Sequence, residues 1–245
     1  MSFDGRTPYP TDEAIKDKID TALKGMWPNA ILEAFPVYAR RIHLKRFLAH
    51  YELFQKVIDL PGDIVELGVY YGISLMSWAN FLEIRCMGDR QRRVWGFDSY
   101  TGLSALVPED GAAKPEVDKV EGGYLSSYAG MLEAIRIFDA DRFIPHKARV
   151  KLVKGDICET VPQWVKDNPG VRISLLHCDC DLYQPTLTAL QHLWPLVVSG
   201  GVIAFDEYGI PPWEGESKAV DEFFENAPLQ RFTWSSNPGG YLVKP

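Results

Sequence analysis

The sequence predicts a doubly wound α/β fold, in which a mainly parallel sheet of seven strands carries helices on both faces and follows an N-terminal helical cap. Three observations support this prediction. Short apolar runs alternate with amphipathic segments five times between residues 63 and 226, as in parallel sheets joined by helices. A glycine turn follows the first apolar run. Residues 231–235 and 240–244 flank a Ser-Asn-Pro-Gly turn, which predicts a terminal hairpin.

The composition of the chain argues against some classes of binding partner. The chain has 245 residues, of which 46% are hydrophobic and 24% charged, as in ordinary globular proteins. A net charge of -7 argues against a nucleic-acid surface, and no apolar run is long enough to cross a membrane. We find no signal peptide, and the four cysteines lack zinc-ligand spacing. We therefore expect no nucleic-acid or membrane partner and a cytoplasmic location.

The N-terminal part of the chain predicts helices. Residues 13–24 are amphipathic, and apolar side chains recur every three or four positions across residues 31–59. We assign residues 1–60 to the helical cap and 61–245 to the α/β domain. The aromatic residues of the cap are candidates for an interface between copies of the chain.

The α/β domain divides into five strand and helix pairs. We predict strands at residues 63–69, 93–98, 149–156, 171–179 and 200–206. The helices are predicted at 72–86, 131–138, 160–168, 186–197 and 217–226. The long segment 99–130 is rich in Gly, Pro, Ser and acids, and loops of this length are often functional lids.

A glycine turn closes the first strand. In Asp63-Ile-Val-Glu-Leu-Gly-Val-Tyr-Tyr-Gly-Ile-Ser74, Gly68 and Gly72 allow the backbone to turn sharply and approach a ligand. The incomplete G-x-G-x-x-G pattern disfavours a nicotinamide cofactor. An acid just before the turn, Glu66, suits a positively charged nucleoside such as S-adenosylmethionine (SAM). A plain strand-to-helix turn remains the alternative.

Acids follow all five predicted strands. They are Glu66, Asp98, Asp156, Asp179 with Asp181, and Asp206 with Glu207. Because the carboxyl ends of parallel strands share one edge of the sheet, these groups should converge on one crevice. Helix capping alone would explain one or two of them.

The positions of these acids suggest different roles. Asp98 is placed to hold ribose hydroxyls, unless it only forms a turn, and Asp156 suits the adenine end, unless it only caps a helix. The three residues Asp179, Asp206 and Glu207 form a candidate Mg²⁺ site. Asp181 is then the candidate general base, with a helix cap as its alternative role.

The chain resembles the macrocin O-methyltransferase family, which comprises bacterial class I methyltransferases that act on sugar hydroxyls of natural products. The similarity lies between residues 62 and 223. Its segments include Gly62-Asp-Ile-Val-Glu-Leu-Gly-Val69, Trp95-Gly-Phe-Asp-Ser-Tyr-Thr-Gly-Leu103, Asp179-Cys-Asp-Leu-Tyr-Gln-Pro-Thr186 and Ser199-Gly-Gly-Val-Ile-Ala-Phe-Asp-Glu-Tyr208.

The resemblance implies a Rossmann-like fold, a bound SAM and a metal. SAM would contact Glu66, Leu67, Gly68, Ser74, Asp98, Ser99, Asp156, Ile157 and Asp179. Mg²⁺ would bind Asp179, Asp206 and Glu207, and Asp181 would deprotonate the acceptor. The chain departs from the family at Tyr70-Tyr-Gly-Ile73, where Trp-Arg-Gly-Gly is usual, and at Cys180 and Glu207, where Gly and Asp are usual.

These observations predict a Mg²⁺-dependent O-methyltransferase that transfers a methyl group from SAM to a hydroxyl, with a small, glycosylated acceptor as its partner. Two alternatives remain open. One is a metal-independent methyltransferase that acts on a nitrogen or a phenol. The other is a non-catalytic SAM-binding protein, in which the acids only cap helices.

Overall fold

The computed structural model of the protein describes residues 12–225 and 228–245. Contacts divide the chain into two compact units, residues 1–44 and 45–245. The prediction placed this boundary at residue 60, whereas the contacts group residues 45–57 with the sheet. None of the described helices is both long and apolar enough to cross a membrane.

The described part of the first unit is helical, with more breaks than the pattern predicts. It contains α1 (Asp12–Leu23), α2 (Pro28–Glu33), α3 (Phe35–Tyr38) and the start of α4 (Arg41–Val57). The predicted continuous helix over residues 31–59 is therefore wrong. A proline in the first turn of α3 lacks the N–H that a continuous helix needs, and Ala39 is extended.

A six-stranded sheet forms the centre of the second unit. Its strands are β1 (Asp63–Leu67), β2 (Val94–Asp98), β3 (Val150–Lys154), β4 (Ile173–Cys178), β5 (Val197–Phe205) and β6 (Gly240–Val243). The spatial order is β3-β2-β1-β4-β5-β6, and only β6 is antiparallel to its neighbour. Strands β1 to β3 follow one another towards one edge of the sheet, and β4 to β6 follow one another towards the other edge. The order of the strands therefore reverses between the neighbours β1 and β4, which leaves a crevice at their carboxyl ends.

The predicted seventh strand is absent from the described residues. The predicted segment 231–235 forms no ladder with β6, and the one backbone bridge nearby joins Gln230, the residue before it, to Tyr241. Phe232 instead stacks its ring on Tyr241, with 5.3 Å between ring centroids. The aromatic segment is therefore attached to the sheet by side-chain packing rather than by a ladder of hydrogen bonds.

Five helices connect or follow the strands. They are α5 (Ile73–Arg85), α6 (Tyr128–Ala140), α7 (Ile157–Asp167), α8 (Tyr183–Leu193) and α9 (Glu214–Phe224). Four of them begin three residues before the predicted start, as α8 does because Pro185 is tolerated in a first turn. Residue 226, the predicted end of α9, lies outside the described residues.

Both faces of the sheet are packed with large side chains. On one face Phe54, Trp78 and Leu82 belong to a single buried cluster. On the other, Trp164 and Leu190 pack in a second cluster. This double burial holds the strand ends, and therefore the side chains that follow them, in fixed positions.

Candidate active site

A cavity of about 1070 Å³ opens at the carboxyl ends of the strands in the second unit. It extends from the glycine turn after β1 to the acids after β4 and β5. Its lining includes most of the predicted site residues, namely Gly68, Ser74, Asp98, Ser99, Asp156, Ile157, Asp179, Asp181 and Glu207. The structure therefore brings together most of the acids that the sequence places at strand ends.

Gly68 makes the closest backbone approach in the cavity wall. Its φ is +84°, and a Cβ there would lie 1.7 Å from the carbonyl oxygen of Asp179. The two strands are joined at this point, since the Asp179 N–H donates to the Leu67 carbonyl at 2.9 Å. No residue with a side chain fits without moving β4, so Gly68 fixes the distance between the two halves of the cavity.

Asp98 organises the glycine turn. Its Oδ2 accepts hydrogen bonds from the backbone N–H groups of Val69 at 2.8 Å and Tyr70 at 2.9 Å. Its Oδ1 accepts from the Tyr100 N–H at 2.6 Å. Asp98 therefore forms a turn, as the alternative interpretation held, and it also lines the cavity, where Oδ1 retains a further lone pair.

The remaining predicted contacts of the cofactor separate into two groups. Asp156 caps α7 by accepting from the Cys158 N–H at 2.7 Å, and it also lines the cavity. Glu66 and Leu67 do not line it. Both are fully buried, and Glu66 Oε2 accepts hydrogen bonds from Trp78 Nε1 at 2.8 Å and from His177 Nδ1 at 3.2 Å. The structure thus places Glu66 behind the cavity wall.

Three carboxylates form a cluster inside the cavity. Asp179, Asp181 and Glu207 are half-buried, and one oxygen of each lies within 4.8 Å of the others. Asp206, which the sequence grouped with Asp179 and Glu207, is fully buried behind them. Its Oδ2 accepts from Asn237 Nδ2 at 2.8 Å. The structure therefore groups Asp181, the predicted base, with the two cavity-facing members of the predicted metal set.

The pKa values in this cluster show that it is short of positive charge. Burial, followed by repulsion from Asp206, raises the pKa of Asp179 to about 7. Burial and the neighbouring acids raise the pKa of Glu207 to about 10. The pKa of Asp181 is also raised, by burial and then by Asp179. Such a cluster takes up protons or binds a cation.

Arg46, on α4, supplies one positive charge. Its Nη2 lies 2.6 Å from Asp179 Oδ2 and 3.0 Å from Asp206 Oδ2, so the guanidinium bridges the two carboxylates. Burial disfavours the charge, but these acids outweigh it and raise the pKa of Arg46. Nothing in the sequence distinguishes Arg46, because it lies in a predicted cap helix, in no motif and more than 130 residues before its partners.

Backbone strain accompanies the cluster. Asp181 has a φ of +64°, and two tyrosines of the cavity wall, Tyr70 and Tyr124, have φ values of +49° and +55°. Residues held in this region are costly and concentrate at functional sites. Asp181 does not cap α8, because Asp110 Oδ1 accepts from the first N–H of that helix, on Tyr183, at 2.7 Å. The alternative role for Asp181 is therefore absent.

A buried lysine anchors the lid. Lys119 is 1% exposed and donates to the carbonyls of Asp110 and Pro212 and, at 2.9 Å, to Glu214 Oε2. The lid is therefore attached to the start of α9 rather than loose. No spacing or composition in the segment distinguishes Lys119 from the other charged residues of the lid, so the sequence offered no signal for it.

Aromatic rings form one side of the cavity mouth. Tyr70 and Tyr71 lie with their ring centroids 4.2 Å apart, and Tyr70 meets Tyr124 of the lid at 5.5 Å. Tyr71 is 65% exposed. Tyr70 and Tyr71 lie where the sequence departs from the family pattern, and the three rings offer flat surfaces to a bound molecule.

The fold and the cavity define a class I methyltransferase. A model of the macrocin O-methyltransferase family matches residues 37–233, which is most of the chain. The protein belongs to this family, and SAM is the methyl donor that membership supports.

Individual relatives agree with this assignment. The chain is 34% identical over 155 residues to a tetracenomycin-C rhamnosyl 4'-O-methyltransferase of Streptomyces olivaceus, a match covering 62% of this chain and 54% of the relative. Across the curated relatives, the match spans 54% to 59% of their length.

Two solved structures cover nearly the whole chain. The calicheamicin methyltransferase CalS11 is 28% identical, with a TM-score of 0.86 and coverage of 99% of this chain and 98% of that one. The apo structure of CalS11, described as a TDP-rhamnose 3'-O-methyltransferase, is 29% identical, with a TM-score of 0.79 and 96% coverage of both chains.

Proposed function

We propose that the protein is a SAM-dependent O-methyltransferase that acts on a sugar hydroxyl of a natural product or of its precursor. The observation that carries the proposal is one cavity with a glycine turn at one end and a carboxylate cluster at the other. The named activities of the relatives, which methylate sugars such as rhamnose, support this class of acceptor.

The glycine-turn half of the cavity is proposed to hold the cofactor. Gly68 packs its backbone against Asp179, and Asp98, Ser99, Asp156 and Ile157 line the same wall. The sulfonium of SAM carries a positive charge, which an acidic cavity attracts. Glu66 contributes through its bond to Trp78 on α5 and not by touching the ligand.

We propose that Asp179 and Glu207 hold a divalent cation. They belong to both the predicted metal set and the observed cluster, and their raised pKa values mark a deficit of positive charge. Mg²⁺ accepts such oxygen ligands and needs only one or two carboxylates besides substrate and water. When bound, it would lower the pKa of the acceptor hydroxyl.

Asp181 is proposed as the general base. It is the third member of the cluster, it lines the cavity, and its backbone is held in the left-handed region. The raised pKa of Asp181 gives its carboxylate a higher proton affinity than an exposed aspartate has. Arg46 holds Asp179 in place beside it. Alignment of the acceptor hydroxyl with the methyl group of SAM then supplies much of the rate enhancement.

The Asp181→Asn variant tests this assignment. The amide cannot accept the acceptor's proton, so we expect kcat to fall by about 10²- to 10⁴-fold. Binding of SAM, measured by calorimetry, should stay unchanged, since Asp181 lies in the other half of the cavity. The matched control is Glu121→Gln, which alters an exposed carboxylate of the cavity rim. Full activity of Asp181→Asn would refute the base assignment.

Arg46 favours a second candidate, methyl transfer without a metal. Its guanidinium already bridges Asp179 and Asp206, so the site contains a fixed cation of its own. Activity measured in EDTA and after addition of Mg²⁺ distinguishes the two candidates. Loss in EDTA and recovery with Mg²⁺ supports the metal-dependent enzyme, whereas equal rates support the enzyme that relies on Arg46.

A further inference from the structure

A second cluster of ligand-type side chains lies behind the cavity. His50 of α4, His177 of β4 and Asp206 after β5 are all fully buried. One nitrogen or oxygen of each lies within 4.8 Å of the others, and His177 Nε2 is 3.5 Å from Asp206 Oδ1. This cluster shares no residue with the carboxylate cluster in the cavity.

Four polar atoms of the cluster have no hydrogen-bond partner among the described residues. They are both ring nitrogens of His50, Nε2 of His177 and Oδ1 of Asp206. Buried polar atoms are nearly always paired, and each unpaired one costs about 1–3 kcal/mol. One ligand atom of each of the three residues lies within 4.8 Å of the others, and unpaired polar atoms grouped in this way indicate that something binds there.

Glu66 orients one of these ligands. Its Oε2 lies 3.2 Å from His177 Nδ1 and is fixed from the other side by Trp78 Nε1. With the Nδ1 proton directed to Glu66, Nε2 presents its lone pair towards Asp206 and His50. A carboxylate behind a histidine is the usual support for a metal-bound imidazole.

The donor set selects the type of ion. Two imidazoles and one carboxylate suit zinc and similar borderline metals, whereas Mg²⁺ prefers oxygen ligands. Burial lowers the pKa of His50 well below its usual range, so its ring is neutral, as a metal ligand must be. The nearby acids Glu66, Asp179 and Asp206 outnumber the single guanidinium of Arg46 and favour a buried cation.

We propose that His50, His177 and Asp206 form a structural site for a zinc-type divalent cation, separate from the carboxylate cluster in the cavity. The ion would tie α4 to the ends of β4 and β5. It would also fix Asp206, which holds Arg46 and, through it, Asp179. The site would thus support the geometry of the cavity from behind without touching the acceptor.

A proton is the competing occupant. Burial opposes protonation of His177, but the adjacent carboxylates of Asp206 and Glu66 outweigh this effect and raise its pKa to about 10. An imidazolium between two carboxylates would satisfy His177 and Asp206. It would leave both nitrogens of His50 without a partner, whereas a metal ion would bind one of them, which is why we favour the metal.

Zinc binding tests the proposal directly. The full chain is stripped with a chelator, incubated with Zn²⁺ alone, desalted and analysed for metal by mass spectrometry. We expect one zinc per chain in the wild type and in Glu207→Gln, which alters only the cavity cluster, and none in His50→Gln. Glu66→Gln should weaken zinc affinity by about 10- to 100-fold. A wild type without zinc, or equal zinc in His50→Gln, overturns the site.

A second measurement avoids dependence on a variant that fails to fold. The wild-type chain is loaded with Co²⁺, and the histidine ring protons are observed by NMR. Paramagnetically shifted ring signals that belong to His50 and His177 support the site. Unshifted signals with His177 protonated on both nitrogens overturn it in favour of the proton.

Discussion

Glu207 lies among carboxylates that it repels. With its pKa raised to about 10 from 4.5, the folded protein retains a proton there that the unfolded chain releases. The free energy of unfolding should therefore fall as the pH rises from 4.5 towards 10. Glu207 is kept at the expense of stability, as functional residues often are.

Substitution of Glu207 should consequently stabilise the protein. In EDTA at pH 8, we expect Glu207→Gln to raise the unfolding free energy on the order of 1 kcal/mol, which shifts Tm by about 2–4 °C in a chain of this size. The gain should vanish near pH 4, where the wild-type carboxyl is protonated in both states. Glu52→Gln, at an exposed position of α4, is the control and should change nothing.

Thermal unfolding of the wild type and of Glu207→Gln at pH 8 and near pH 4 tests this prediction. A Glu207→Gln chain that is less stable than the wild type at pH 8 would mean that the carboxylate is already compensated without a metal. Arg46 would be the first group to examine in that case, since its attraction lowers the pKa of Glu207.

Residue types at strand ends were predictable, but their partners were not. The alternation of apolar runs locates Asp179, Asp181 and Glu207 at the edge of the sheet formed by the carboxyl ends of the strands, because the direction of parallel strands alone determines which edge that is. Which oxygen faces the cavity depends on contacts distant in sequence. The bonds of Asp206 with Arg46 and Asn237 are of this kind, so the regrouping of Asp206 had no sequence signal.

The lid is the element that depends most on a single side chain. In Lys119→Met, the carbonyls of Asp110 and Pro212 lose their buried donor, and each unpaired group costs about 1–3 kcal/mol. We expect amide hydrogen exchange to accelerate across residues 99–127, while β1, β4 and β5 stay protected. The KM for the acceptor should rise more than kcat changes.

Lys114→Met is the matched control, because Lys114 belongs to the same segment but its side chain is exposed. Its exchange pattern should equal that of the wild type. Uniform acceleration across the whole sheet in Lys119→Met would show that the lysine supports the fold rather than the lid.

Element positions were largely predictable, whereas strand pairing at the edge was not. Periodicity located all five helices that alternate with strands, since each buries one face against the sheet. The helix broken before Arg41 and the missing seventh strand show the limit of prediction from apolar periodicity. Both depend on local backbone conformation and aromatic packing, at Ala39 and Phe232, that an apolar pattern does not encode.

At the scale of the whole molecule, cofactor binding should appear as stabilisation of the folded chain. SAM or its demethylated product at 100 times its dissociation constant should add about 2.7 kcal/mol. For a chain of this length, that corresponds to a rise in Tm of about 5–10 °C. Thermal-shift measurements with either compound test this expectation.

NADH serves as the control ligand, since the incomplete glycine pattern disfavours it, and it should cause no shift. A shift with NADH and none with SAM would contradict the proposed cofactor. No shift with any of the three ligands would contradict both the methyltransferase and the non-catalytic SAM-binding protein, and the buried histidine site would still be judged by its metal content.

The anchoring of the lid has a consequence for protein engineering. The segment begins directly after β2, beside the proposed cofactor wall, but Asp110 and Lys119 attach it to Tyr183 and Glu214 at the starts of α8 and α9. The Tyr183 N–H and the Pro212 carbonyl are backbone groups that remain for any transplanted lid, whereas the Glu214 side chain is matched to Lys119 of this lid. Chimeras designed to change acceptor preference should therefore exchange residues 99–127 together with residues 212–215, as one module.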